Sequence, residues 1–290
     1  MLIRKKALKI QERLGMNIGV SYGVSAIPVV RNIDQALEAL RELYKVGFRA
    51  LVLPKELFSQ IKGTTDLYKD HYGDLLRLKN IAKKFGIELS LHDSRLPDLP
   101  DENLRLFSTI ASVMDCRIFT IHPNFYRNVP QEQALRLVIH KINEITGELR
   151  VKSKIGIETT GRPGELGSIE NVVSICRKTT GTEPVINWAH VHARSAGYLR
   201  SQDDFKKIIE VVRQGIGQQW LRDAYFFFSG VKYGPSGEIS HMSFVHSDMK
   251  LENLIRSVLS YGIKGTLIFD EPEREKNIID TLDEIGDMVR

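Results

Sequence analysis

The sequence predicts an α/β protein built as a single (β/α)8 TIM barrel. Its 290 residues contain eight short, apolar, β-branched runs, and each is followed by a longer stretch of helical periodicity. An open, doubly wound sheet would rarely hold eight such units and would usually carry a glycine-rich phosphate turn after its first strand. That turn here reads SYGVSAIP, without a GxGxxG pattern. No Pro/Gly-rich linker divides the chain, so we expect one barrel over residues 16–290.

The predicted strands occupy regularly spaced segments: 17–21, 48–54, 87–92, 116–122, 154–160, 184–190, 224–230 and 264–270. In the first helical stretch, Ile33, Leu37 and Leu40 fall on one face at a period of 3.6 residues. Several helical stretches stop at a glycine, as helix C-termini often do: Gly47, Gly86, Gly147, Gly181, Gly215 and Gly262. Residues 1–15 form a basic extension, either an amphipathic helix or a frayed tail.

Composition excludes several classes of protein. Lys and Arg total 41 against 36 Asp and Glu, a net charge of +5, which permits a polyanionic partner without requiring one. The apolar fraction of 42% excludes a disordered, collagenous or coiled-coil chain. No apolar run approaches the roughly 18 residues that a membrane span needs, and the N-terminus lacks the apolar core of a secretion signal. With only Cys116 and Cys176, a disulfide framework is excluded, and we expect a cytoplasmic protein.

Titratable residues gather at the ends of the predicted strands, where barrel enzymes place their chemistry. They are His92, His122, Glu158, His190 and Asp270, with Glu238 and His241 in the long connection after the seventh strand. Imidazole and carboxylate are the usual ligands of Zn²⁺, Mn²⁺ and Fe²⁺ at hydrolytic sites. Because no cysteine lies near this cluster, the pattern predicts a catalytic metal site rather than a structural one.

Six local motifs connect these residues to a known family. They are LHDSRL, IHPNFY, IETTGRPGELG, NWAHVHARSAGYL, SGVKYGPSGEISHM and FDEP. In this order they resemble endonuclease IV, the metal-dependent apurinic/apyrimidinic endonuclease, and in particular its archaeal-looking members. The resemblance implies a barrel with a three-metal cluster, usually zinc, that hydrolyses DNA on the 5′ side of an abasic site. The products would be a 3′-hydroxyl and a 5′-deoxyribose phosphate.

The resemblance also implies roles for single residues. His92 and His122 would bind one zinc ion, and Glu158 would bridge that ion to a second. Asp270 stands where the family has a glutamate that binds the second zinc and positions the nucleophile. Glu158 and Asp270 are therefore the implied catalytic residues.

His190 and His241 would bind the third zinc ion by the same resemblance. Two residues before His241, where the bacterial pattern has an aspartate, this chain has Ile239. His192 and Glu238 are candidate substitute ligands for that ion.

Two further departures fall on the second metal position. Asn187 replaces a family aspartate and offers only a neutral oxygen, while Phe227 replaces a histidine and offers no ligand atom. We expect one to three ions, Zn²⁺ in the first instance with Mn²⁺ as the alternative, and a weakened second position.

Cationic and aromatic residues in the predicted βα loops suit phosphate contacts and base stacking. The candidate DNA contacts are Arg95, Tyr126, Arg162, Arg194, Tyr198 and Lys232. The expected partner is DNA containing abasic sites, bound by a monomer that has no membrane association.

Two alternatives remain open at this stage. A sugar isomerase or epimerase of the xylose-isomerase-like barrels would use a similar cup, with Glu158 and Asp270 as its carboxylates. A non-catalytic relative would bind DNA in a salt-sensitive manner without metal-dependent cutting.

Overall fold

Eight parallel strands close into a barrel in the computed structural model of the protein, which describes residues 2–21, 30–93, 101–126, 128–148, 152–270 and 274–290. The strands are β1 (Met16–Ser21), β2 (Ala50–Pro54), β3 (Glu88–Asp93), β4 (Ile118–Ile121), β5 (Lys154–Glu158), β6 (Thr182–Asn187), β7 (Ala224–Phe228), β8 (Gly230–Gly234), β9 (Gly237–Met242) and β10 (Gly265–Phe269). The barrel order is β1-β10-β7-β6-β5-β4-β3-β2, and β8 and β9 form a separate antiparallel hairpin. The predicted single (β/α)8 TIM barrel is confirmed.

Helices surround this barrel in the order that the periodicity predicts. They are α1 (Leu2–Leu14), α2 (Ile33–Val46), α3 (Thr64–Asp66), α4 (Tyr72–Phe85), α5 (Asp101–Val113), α6 (Gln131–Glu148), α7 (Ile169–Lys178), α8 (Trp188–Arg194), α9 (Gln202–Ile216), α10 (Leu251–Tyr261) and α11 (Arg274–Met288). No helix in the described part of the chain combines the length and apolar character that crossing a membrane requires.

Glycines lie at or next to five of the predicted helix ends. Gly47, Gly86 and Gly262 follow α2, α4 and α10 in the left-handed conformation, which glycine adopts without steric cost. Helices α6 and α9 end at Glu148 and Ile216, one residue beyond Gly147 and Gly215.

The barrel interior is filled with apolar side chains up to the level of the strand ends. The buried interior cluster consists of Ala50, Val52, Ile118, Val185, Tyr225, Phe227 and Ile268. Gly156 leaves room for two of them, since a Cβ there would lie 2.6 Å from Ile118 Cδ1 and 2.7 Å from Val185 Cγ2. The interior is therefore a packed floor, and polar side chains that extend beyond it collect at the carboxyl end of the strands.

The sixth strand is shorter than the sequence predicts. It ends at Asn187, where the predicted strand continues to His190. The Asn187 side chain accepts a hydrogen bond from the His190 backbone N–H at 3.3 Å and so starts α8 at Trp188. His190 therefore reaches the barrel mouth from the first turn of a helix.

Helix α1 resolves the choice between helix and frayed tail for the basic extension. Ala7, Ile10 and Leu14 lie on its buried face and belong to the main hydrophobic core. Gln11 is 2% exposed; its side-chain amide donates to the carbonyl oxygens of Ala7 and Gly47, and its oxygen accepts from the Ile18 N–H at 2.7 Å. One buried amide thus ties α1 to β1 and to the end of α2.

We predict that Gln11→Ala lowers the free energy of unfolding by about 2–4 kcal/mol. The substitution leaves a buried Ile18 N–H and a Gly47 carbonyl oxygen without their partner, at about 1–3 kcal/mol for each group. Urea unfolding monitored by circular dichroism gives the measurement. Glu12→Ala, one residue away on the exposed side of α1, is the control and should change stability by less than about 0.5 kcal/mol.

Candidate metal centre

Three residues from neighbouring strands form the first ligand group. His92 lies on β3, His122 directly follows β4, and Glu158 is the last residue of β5. His92 Nε2 donates to Glu158 Oε2 at 2.7 Å, and His122 Nε2 lies 3.5 Å from Glu158 Oε1. The candidate ligand atoms all lie within 4.8 Å of one another. Two imidazoles and a carboxylate at this spacing form a suitable N/O site for a transition metal.

Electrostatics keep the central carboxylate of this group ionised. Burial by itself would raise the pKa of Glu158, but the imidazoles of His92 and His122 outweigh it and hold that pKa well below its usual range. Burial likewise works against protonation of His92, yet the adjacent Glu158 charge raises the His92 pKa. The His122 Nε2 atom is buried with no hydrogen bond among the described residues. A buried anion beside an imidazole nitrogen without a hydrogen bond is the environment that a bound cation would complete.

A second ligand group lies beside the first and consists of His190, Glu238 and His241. His190 Nε2 is 3.2 Å from Glu238 Oε2, and His241 Nε2 is 3.5 Å from Glu238 Oε1. His190 Nδ1 donates to the Thr159 carbonyl oxygen at 2.7 Å, and its Nε2 faces Glu238 with the Asn187 amide nitrogen 3.4 Å away. Burial lowers the pKa of His190, although Glu238 and Glu158 oppose the shift. A neutral imidazole is the form that binds metals.

The hairpin β8–β9 supplies two of these three ligands, and the sequence did not reveal it as an element. Tyr233 pairs with Glu238 and Val231 with His241, with a register shift between Lys232 and Tyr233. Val231 and Tyr233 are two residues apart and share a face, so their partners Glu238 and His241 share it too. In a regular strand residues three apart would face opposite sides. The bulge therefore brings both ligands to the metal centre.

Ile239 is the additional residue of this bulge. Its side chain is 59% exposed, on the side away from the ligand group. The family aspartate that the resemblance places at this position would therefore point away from the site in this chain. Glu238, one residue earlier, takes the ligand position, and the bulge compensates for the changed spacing.

Asn187 connects the two ligand groups. Its side-chain amide donates to Glu158 Oε1 at 2.9 Å, while its oxygen caps α8 at the His190 N–H. The rings of His122 and His190 lie 5.2 Å apart between centroids, so the groups are immediate neighbours. An aspartate here would place a second carboxylate against Glu158, whereas the amide stabilises that carboxylate through a hydrogen bond.

Asp270 lies with the second ligand group rather than with Glu158. Its Oδ2 atom is 3.2 Å from His241 Nδ1, and burial, which opposes the shift, is outweighed by Asp270 and Glu238 so that the His241 pKa rises to about 9. Among the described residues, Asp270 and Glu158 share no ligand group. The second metal site expected between them therefore stays a prediction. Phe227 is fully buried, with its ring 5.1 Å from that of His92, and it fills volume beneath the first group.

His192 does not act as a substitute ligand in this structure. Its Nδ1 accepts from the Leu199 N–H at 3.1 Å, and its Nε2 donates to Asp248 Oδ1 at 2.9 Å. Asp248 also accepts from Tyr233 and Arg200. His192 Nδ1 thus holds the segment after α8, and Nε2 connects α8 to the hairpin through Asp248 and Tyr233.

Arg95, one of the candidate DNA contacts, lies outside the described residues, and the other five separate into three kinds. Arg194 is a structural clamp: it donates to Thr160 Oγ1 and to the carbonyl oxygens of Arg162, Pro163 and Glu165. Its DNA contact stays a prediction. Tyr126 is half-buried against the main core. The remaining three, Arg162, Tyr198 and Lys232, have exposed side chains.

Sequence reasoning missed an aromatic pair near this end of the barrel. Tyr68 and Tyr72 are 57% and 40% exposed, with ring centroids 5.6 Å apart. Tyr68 lies in a π-helical turn, Leu67–His71, that leads into α4, and Tyr72 is the first residue of α4. Two tyrosines four residues apart in a segment rich in charged residues were the available signal.

We predict that Glu238→Ala weakens binding of the metal ion at the His190/Glu238/His241 group at least about tenfold, since one of three ligands is lost. Glu238→Ala combined with Ile239→Asp should not recover it, because position 239 faces away from the group. Calorimetric titration with Zn²⁺ measures both variants, and Ile239→Asp alone is the matched control. If the double variant recovered its affinity for Zn²⁺, the bulge would not determine which side chains face the ligand group.

We predict that Asn187→Asp destabilises the metal-free protein by at least about 1.5 kcal/mol, since two buried carboxylates would then adjoin. Zn²⁺ should raise the melting temperature of the variant more than that of the wild type, because the cation neutralises both charges. Asn80→Asp, at an exposed site on α4, provides the control. Equal zinc-dependent shifts in Asn187→Asp and wild type would contradict the proposed adjacency to a metal.

Comparison with known proteins identifies a matching family profile, a related sequence and similar folds. The sequence profile described as Xylose isomerase-like TIM barrel matches residues 40–287. An uncharacterized protein of Methanocaldococcus jannaschii is similar over 271 residues at 22% identity, covering 92% of this chain and 97% of that protein.

Two solved structures show a similar fold. D-Psicose 3-epimerase with D-tagatose from Clostridium cellulolyticum H10 has a TM-score of 0.63 at 11% identity, covering 95% of this chain and 98% of its own. The IOLI protein with a binding zinc atom has a TM-score of 0.64 at 12% identity, covering 94% and 98%. Together with the profile match over most of its length, this shows that the chain belongs to the xylose isomerase-like TIM barrel family.

Proposed function

We propose that this protein is a metal-dependent phosphodiesterase of the endonuclease IV type, cutting DNA on the 5′ side of abasic sites. The observation that carries the proposal is the pair of adjacent ligand groups, His92/His122/Glu158 and His190/Glu238/His241. Two neighbouring cations suit the hydrolysis of a phosphodiester. One can activate the attacking water, and the other can stabilise the negative charge on the leaving oxygen.

Zn²⁺ is the first choice of metal, with Mn²⁺ as the alternative. Each group presents two imidazole nitrogens and one carboxylate, and three protein ligands leave a coordination position open for water or substrate. The bound ions would supply Lewis acidity and a lowered pKa of bound water. The motif resemblance and the zinc atom in the similar IOLI structure both favour zinc.

The chain's own residues prepare this site in complementary ways. Glu158 is ionised within the first group, and Asn187 fixes its orientation through the amide hydrogen bond. Asp270 lies against His241 Nδ1 and orients that imidazole so that Nε2 faces Glu238. In this arrangement Asp270 is a positioning residue for the second group.

A polyanionic substrate is supported by the surroundings of the site. The net charge is +5. Arg162 on the β5–α7 connection and Lys232 on the hairpin carry exposed cationic side chains. The exposed Tyr68 and Tyr72 offer aromatic faces at the same end of the barrel. Cations for phosphates and rings for unstacked bases are the combination that single-stranded or distorted DNA requires.

A sugar epimerase is the second candidate, favoured by the fold similarity to D-psicose 3-epimerase. Such an enzyme moves a proton at one carbon and needs a carboxylate available as general base. Glu158 accepts hydrogen bonds from His92 and Asn187 and is held ionised far below the pKa of an effective base at neutral pH. Its surroundings therefore suit a metal ligand better than a general base.

We predict that the purified protein nicks a duplex containing one abasic site in the presence of Zn²⁺ or Mn²⁺. Glu158→Gln should slow the nicking at least about a hundredfold, or about 2.7 kcal/mol in the barrier, because the first group loses its charged ligand. Binding should weaken steeply with added salt as counterions are released. A gel assay at several salt concentrations measures both effects, and His140→Ala on the exposed side of α6 is the control.

Three outcomes distinguish the candidate functions. Conversion of D-psicose, D-fructose or D-tagatose without nicking would establish the epimerase. Salt-sensitive binding of abasic duplex with no nicking at any metal concentration would establish a binding protein. Equal nicking by Glu158→Gln and wild type would show that the first ligand group is not the catalytic centre.

A further inference from the structure

A second cleft opens at the opposite, amino-terminal end of the barrel, away from the metal centre. Its volume is about 460 Å³, within the roughly 300–1,000 Å³ that small-ligand sites occupy. Side chains from α1, the end of α2, the connection into β2 and the end of α4 form its walls, with Asn17 of β1 among them.

The charged residues that line this cleft are all cationic: Arg4, Arg49, Lys83 and Lys84. No described carboxylate forms a salt bridge with any of the four, and none lines the cleft. Four like charges around one cavity repel one another, and no described carboxylate along the cleft offsets that repulsion.

Helix dipoles account for only half of these charges. Lys83 and Lys84 lie in the last turn of α4, where the negative end of the helix dipole favours cations. Arg4 lies near the start of α1, which has no acidic residue in its first turn and where the dipole disfavours a cation. Arg49 is a half-buried residue between helix and strand, outside any helix terminus. No described carboxylate along the cleft accounts for the position of either arginine.

The carboxyl group of Glu88 lies behind Asn17, which lines the cleft. Glu88 accepts a hydrogen bond from Thr266 Oγ1 at 2.8 Å, and the Asn17 amide lies 3.5 Å from its other oxygen. Burial raises the pKa of Glu88, against the hydrogen bond from Thr266 and the charge of Arg117. It is therefore a weak counter-charge for the cations in front of it.

Arg4 is held in place before any ligand arrives. Its Nε donates to the Tyr44 carbonyl oxygen at 3.0 Å, and its guanidinium lies 4.2 Å from the centroid of the Tyr44 ring. Tyr44 in turn stacks on Phe85 at 4.6 Å. A fixed guanidinium loses little side-chain entropy on binding an anion and presents its remaining N–H groups as a fork.

We propose that this cleft binds a small ligand through two or more linked phosphate groups, at a site separate from the metal centre. Phosphate oxygens match the donors of two arginines and two lysines in number and in charge. A ligand with at least two phosphates offsets the charge of all four side chains, and its size fits the cleft. The proposal does not depend on the activity of the metal centre.

Calorimetric titration of the full chain with pyrophosphate tests this, in a chelating buffer so that heat of metal binding does not contribute. Arg49→Gln combined with Lys83→Gln should weaken pyrophosphate binding at least tenfold. The matched control is Arg177→Gln with Lys178→Gln, which removes two exposed charges from the last turn of α7 and should change binding less than twofold. If both double variants lost the same affinity for pyrophosphate, the loss would reflect net charge alone, and the proposed site would be overturned.

Lysine acetylation followed by mass spectrometry gives a second readout on the unaltered protein. Pyrophosphate should protect Lys83 and Lys84 several-fold and leave Lys178 unchanged. Tighter binding of ADP than of pyrophosphate would identify the source as a nucleotide, and equal or weaker binding would identify inorganic polyphosphate; both support the site. Binding of adenosine as tight as that of ADP, or no protection of the two lysines, would overturn the proposal.

Discussion

Glu158 is a fully buried carboxylate at the end of β5, and the barrel mouth is organised around its charge. His92, Asn187 and the neighbouring His122 and His190 are all placed within 2.7–3.5 Å of its two oxygens. Keeping an isolated buried carboxylate charged would cost too much free energy. The charge of Glu158 therefore depends on these partners and on the cation that we propose for the site. The apolar interior below, which ends in Phe227, excludes water from beneath the site and makes that dependence stronger.

The second ligand group depends on a different constraint, the geometry of an antiparallel hairpin. Glu238 and His241 have a spacing that a regular strand would divide between two faces. The register shift opposite Lys232 and Tyr233 places them together, and the His192–Asp248–Tyr233 hydrogen bonds hold the hairpin against α8. The outward position of Ile239 is a consequence of the same bulge. A ligand has thus moved by one residue along the chain while its place in space is kept.

The two ends of the barrel carry different chemistry for a physical reason. Parallel strands bring all carboxyl ends together, so residues at the ends of separate strands converge on one site. At the other end, the last turns of α2 and α4 meet α1, and cations accumulate there with no described acidic partner along the cleft. The proposed metal centre and the proposed anion site therefore lie at opposite ends of one barrel, where the local electrostatics differ.

The sequence by itself determined the barrel, since eight apolar runs alternating with helical periods admit few other closed arrangements. It also determined that His92, His122 and Glu158 meet, because each ends or follows a strand and parallel strand ends converge. Only the tertiary structure decided that Glu238 joins His190 and His241, because a bulge changes the face of a residue without changing composition. It likewise decided that Asp270 Oδ2 lies 3.2 Å from His241 Nδ1, and that Arg194 and His192 hold loops together. Those roles depend on which donor lies within about 3 Å of which acceptor, and no periodicity in the sequence records such distances.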